Sequence, residues 1–172
     1  MESDEQKTVK EPDDASNRDH TPIGLVLGVA LTGVVVWQVM PGMMIVEHRS
    51  KYGLDETVSR LQQAIEDAGW NSPGVRNMNA SMAKHGVTFD RQVRLVEMCH
   101  ADHAKSVLTT DRHIATLMPC AVAVYEGDDG QVYLSGMNMG LMGKMFGGNI
   151  ARVMGGAVAD DERRILSSVV QD

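Results

Sequence analysis

Hydrophobic positions crowd one stretch before they begin to alternate. From Pro22 to Met40 the chain reads "PIGLVLGVALTGVVVWQVM", in which only Thr32 and Gln38 are clearly polar and nothing is charged. About 20 such residues cross a bilayer core as a helix. The stretch predicts one transmembrane helix over residues 21–41, with Trp37 as an interfacial aromatic and Pro41-Gly42 as its end. Residues 1–20 carry Lys7, Lys10 and Arg18 among seven acidic residues and show no apolar period. They predict a disordered tail, because they bury too little surface to offset ordering entropy. The acidic leader is long and no small-x-small site follows Met40, which favours a retained anchor over a cleaved signal peptide. Lys10 and Arg18 before the span balance Arg49 and Lys51 after it. A single N-terminal span ahead of a domain works as a signal anchor. The expectation is therefore an inner-membrane protein with its C-terminal domain in the periplasm.

Past Gly42 the pattern switches to short alternating runs and helical periods, over residues 43–172. "MMIVEH" reads as a strand. "LDETVSRLQQAIEDAGW" sets Leu54, Val58, Leu61 and Ile65 at helical spacing, with acids in the first turn and Gly69 at the end. "NSPGV" is a turn and "NMNASMAKHG" a short helix closed by Gly86. "RQVRLVEMC" alternates as a strand, and "ADHAKSVLTT" is a helix. "LMPCAVAVYE", "GDDG" and "QVYLSGMN" form strand, turn and strand, an antiparallel hairpin. "LMGKMF" and "NIARVM" are short helical pieces, and "DDERRILSSVV" is a final helix with acids at its start. Mixed elements with a hairpin predict an α+β fold, a two-layer sandwich with a mixed or antiparallel sheet.

Composition narrows the function. The 172 residues hold 16 Lys+Arg against 23 Asp+Glu, a net charge of −7. With no basic patch, a nucleic-acid partner is not expected. Two cysteines are too few for a disulfide scaffold. Thirteen methionines are many; methionine fills cores first and binds soft metals second.

Three pieces carry a resemblance: the "TVSRLQQAIEDAG" helix, "EMCHADHA", and "PCAVAVYEGDDG". Over residues 43–146 the chain resembles the domain-of-unknown-function 302 family, in the branch with a cysteine at each position matched by Cys99 and Cys120. His103 matches a position that is often aromatic or histidine, whereas His100 and Ala101 depart from a polar-proline pair. The resemblance implies a compact α+β fold that associates in pairs, here a homodimer. It implies no established reaction.

Two constellations bear on chemistry. Cys99 and His103 lie four apart at a helix start, and Cys120 opens the next strand after Pro119. Thiolate, imidazole and thiolate suit a soft metal such as Cu or Zn, an iron cofactor, or a sulfur species. Glu97 and His100 are the residues expected to orient such ligands. Two other readings stay open, packed hydrophobic cysteines and a disulfide. Met137, Met139, Met142 and Met145 form the second group, as thioether ligands or as adaptable packing. Paired acids at Asp128-Asp129 and Asp160-Asp161 read as turn former and N-terminal helix charge. These features favour a membrane-anchored binding domain. A thiol-based oxidoreductase or sulfur carrier, and a structural pairing module, are the alternatives.

Overall fold

The computed structural model describes residues 21–171; the predicted tail over residues 1–20 lies outside them. Chain contacts divide after Gln38. Helix α1, Thr21–Met44, has no polar face. It does not stop at Pro41-Gly42 but runs on to Met44, a correction to the predicted boundary. A proline removes one backbone donor and can leave the following turn bonded. Among the described residues no helix is long and apolar enough to cross a membrane. The uncharged run from Pro22 to Met40 is 19 residues, against about 20 for a bilayer core.

The α+β domain follows. Strands β1 (Ile45–Arg49), β2 (Val75–Asn77), β3 (Val93–Met98), β4 (Cys120–Glu126) and β5 (Val132–Met137) form one sheet in the order β1-β5-β4-β3-β2. Every pairing is antiparallel, which settles the predicted choice between a mixed and an antiparallel sheet. The helices are α2 (Leu54–Asp67), α3 (Met78–Ala83), α4 (Ala101–Thr110), α5 (Met139–Phe146), α6 (Gly148–Arg152) and α7 (Ala159–Ser167). A 3-10 turn, Arg112–Leu117, leads into β4, and a π-helical segment, Val153–Val158, joins α6 to α7.

Period-two alternation assigns the two faces of the sheet. Register sets Val96 opposite Val122, Met98 opposite Cys120 and Val124 opposite Leu134. Val96, Met98, Val122, Val124 and Leu134 are buried, with Leu61 and Ile65 of α2, Val107 of α4 and Ile165 of α7 in the same core. The opposite face carries Leu95, Glu97, Ala121, Ala123, Tyr125 and Tyr133, of which none is fully buried. Two asparagine caps fix short helices: Asn77 accepts from the Ala80 N–H at the start of α3, and Asn138 from the Leu141 N–H at the start of α5.

The last helix departs from its predicted form. Val158, the residue before α7, has helical φ −64 and ψ −44. Asp160 and Asp161 therefore do not sit at a free N-terminus, because backbone from the π segment runs straight into them. Their charge is met by Arg163 at 2.6 Å and Arg164 at 2.8 Å, each three residues on. Gly143 and Gly155 explain the close approach of α5 to the π segment: a Cβ on Gly143 would fall 2.4 Å from Gly155 Cα.

Candidate functional site

The site forms where β3 ends and α4 begins. Met98 is the last ladder residue of β3 and is buried. Cys99 is then held by the segment after α2, exchanging N–H···O bonds of 2.8 and 2.9 Å with Asn71. That segment turns at Gly69, whose φ of +79 favours glycine, and drives Trp70 into the core at 5 % exposure. His100 takes the N-cap position of α4 and offers no side-chain cap. A serine or aspartate there would cap, so capping does not account for the imidazole. His100 and His103 are three apart, on one side of the first turn, and their rings lie 4.2 Å apart. Trp70 closes the group, 5.5 Å from the His100 ring and 5.7 Å from the His103 ring.

Cys99, His100, His103, Cys120 and Trp70 line one cavity of about 20 Å³, room for one water or one ion. Its remaining walls are apolar, from Met98, Val107, Met118 and the π-segment residues Val153, Met154 and Val158. Single π turns inside helices recur at functional sites. His100 Nδ1 is buried there with no hydrogen-bond partner, and an orphaned buried nitrogen is costly. Both cysteines are free thiols. Among the described residues no three His, Cys, Asp or Glu side chains are grouped to hold a metal ion.

Two neighbouring acids of α7 behave differently, Asp161 beside the cavity's Trp70 and His103 and Glu162 in another hollow. Asp161 Oδ2 accepts from Trp70 Nε1 at 3.1 Å and faces His103 Nε2 at 3.6 Å, while Arg164 holds Oδ1 at 2.8 Å. It thereby orients the Trp70 ring and sets a carboxylate beside the His103 ring. Glu162 is 8 % exposed, and burial alone pushes its carboxyl up to about 7. Cys120 is pushed up to about 12, by burial first and then by the negative charges of Glu162 and Cys99. Cys120 is thus a neutral thiol at physiological pH.

The residues singled out in the sequence separate. Cys99, His100, His103 and Cys120 come together. Glu97 lies on the opposite face of the sheet and pairs with Arg76 at 2.9 Å, away from the cavity. Met137 and Met139 line two neighbouring hollows, of about 300 and about 320 Å³, and Cys120 reaches the second of these. Met142 is buried and Met145 is 52 % exposed, so the four methionines do not share one site. Trp70, Asp161 and Glu162 carry no motif. Trp70 and Asp161 reach the Cys/His cavity, and Glu162 the larger hollow, from distant segments, and tertiary packing alone brings them there.

A family model described as "Domain of unknown function DUF302" matches residues 46–171. Among solved structures, the crystal structure of an uncharacterized conserved DUF302 protein from Bacillus stearothermophilus is similar, with a TM-score of 0.65 and 17 % identity. The match covers 73 % of this chain and 97 % of that one. At that identity the likeness is one of fold. No curated protein matches the chain.

Proposed function

The chain belongs to the DUF302 family, whose name carries no activity, and we propose that its folded domain binds one soft monovalent metal ion of the Cu(I) class between Cys99 and Cys120. The observation that carries the reading is one small, apolar-walled cavity lined by both thiols and two imidazoles, with His100 Nδ1 buried and unpartnered. Soft thiolates select Cu(I), which accepts two ligands. A zinc site needs four, and no group of three stands ready among the described residues. Electrostatics count against Cys120 as a resting nucleophile. Burial first, and the nearby acid Glu162 second, hold Cys120 protonated, so a bare thiolate there is disfavoured. A metal reverses the local logic and deprotonates a coordinating thiol. Asp161 stands 3.6 Å from His103 at the rim, a carboxylate placed beside the site.

Titration tests this. Reduced full-length protein in detergent, kept anaerobic, is offered Cu(I) held by bicinchoninate. One equivalent moves to the protein. Cys99→Ser and Cys120→Ser each weaken binding at least a hundredfold. No transfer at any ratio, or equal binding by the double variant, overturns the reading. The thiol-exchange alternative requires a ready thiolate, and the Cys120 value near 12 counts against that residue.

The proposal extends to placement. Residues 22–40 lack charge, and α1 has no polar face; a helix apolar all round needs apolar surroundings. The domain is then tethered at an inner membrane on the periplasmic side, as a homodimer. Alkaline carbonate is expected to leave the chain in the membrane pellet, and protease added to spheroplasts to digest the domain. Extraction or full protection would contradict the tether or its orientation. Crosslinking in membranes is expected to give a band at twice the chain mass, and monomer alone would contradict the pairing.

A further inference from the structure

Beyond the Cys/His cavity, the hollow of about 300 Å³ beside β1, β5 and α7 has a chemistry of its own. Its walls are largely apolar, including Val46, Leu134, Met139 and Leu166; His48 and Arg163 also line it, and Arg163 is already paired with Asp160 at 2.6 Å. At its inner side sits Glu162, 8 % exposed. No hydrogen bond or ion pair among the described residues offsets its burial. The neighbouring acids on α7 are matched differently, Asp160 by Arg163 and Asp161 by Arg164. Gly136 in β5 leaves the space the carboxyl occupies, since a Cβ there would lie 3.1 Å from Glu162 Oε1.

We propose that this hollow binds a small organic cation, an ammonium group carried on a compact apolar body, with the ammonium against Glu162. Three features select that class. The volume falls at the lower end of the range for small-molecule sites. Largely apolar walls with one deeply buried carboxyl fix a ligand's orientation through that group. An unpaired buried carboxyl is costly, and an ammonium supplies both the opposite charge and the missing donors. A neutral alcohol of the same shape supplies a single donor and no charge.

The test uses benzylammonium and benzyl alcohol with the full-length protein in detergent, labelled at the methionine methyls. The aromatic ring shifts the methyl signals of Met137 and Met139, which line the hollow. Saturable shifts are expected with benzylammonium, and at least tenfold weaker ones with benzyl alcohol. Glu162→Gln keeps the shape and removes the charge, and is expected to lower benzylammonium affinity at least tenfold with its circular dichroism unchanged. Gly136→Ala crowds the carboxyl and is expected to weaken binding severalfold. Cys99→Ser leaves binding as it was, which separates this site from the metal reading. Equal binding of the amine and the alcohol, an undiminished affinity in Glu162→Gln, or no saturable shift overturns the proposal.

Discussion

Asp161 and Glu162 are chain neighbours with opposite treatment. Asp161 faces the Cys/His cavity and is fully employed by Trp70, Arg164 and the His103 edge. Glu162 faces the larger hollow with nothing to meet it. The two cavities differ in the same way. The small one has apolar walls, oriented rings and one orphan nitrogen. The large one is roomier, and its only deeply buried charged group stands alone. A satisfied acid supports other groups, whereas a buried acid without an ion pair is the ground on which a cation is proposed.

The contrast can be broken from either side. Trp70→Ala removes a core wall and the donor that holds Asp161. Truncations of this size cost about 4 kcal/mol, and urea unfolding should show that loss together with weakened metal binding. Glu162→Gln acts in the other direction. The native carboxyl titrates near 7 instead of the ordinary 4.5. Its neutral form is thus favoured in the folded state. That stability is fully present below pH 4.5 and is lost as pH rises through 7. Near pH 4 the variant and the parent should unfold alike. At pH 8.5 the variant should be more stable by about 3 kcal/mol, and a parallel pair of stability-pH curves would refute the unpaired state of Glu162. Asp161→Ala strands the Trp70 N–H, at about 1–2 kcal/mol. It also frees His103, so metal affinity should fall about tenfold; a stability loss with unchanged affinity would reduce Asp161 to a structural role. Glu97→Ala provides the control. Its pair with the 60 % exposed Arg76 is worth less than about 1 kcal/mol, and neither cavity should respond.

Legibility follows the range over which each feature is encoded. β1, β3, β4 and β5 alternate locally, and α2 and α4 carry their own period, so the pattern of residues predicts them. β2 spans three residues after Ser72-Pro73-Gly74 and gains its identity only by pairing with β3. The π segment over "VMGGAV" carries Gly155 of the Gly143–Gly155 crossing, a contact between helices that no local period encodes. Within the small cavity, Cys99, His100 and His103 are legible because a strand end and a helix start adjoin in the chain. Cys120 follows from the strand-opening Pro119. Asp161 has a good local explanation, charge at a helix start, and that explanation fails because the helix begins earlier. Glu97 fails for a simpler reason: strand alternation carries it to the face away from Met98 and Cys120, where Arg76 meets it.

The most direct test of the central claim is copper-edge X-ray absorption on the full-length protein loaded with one equivalent of Cu(I). The account predicts a first shell with two sulfur neighbours, reduced to one in Cys120→Ser and to none in the double variant with Cys99→Ser. A shell of oxygen and nitrogen only would contradict it. So would a sulfur shell that survives in the double variant, since the metal would then sit on methionines and not between the two cysteines.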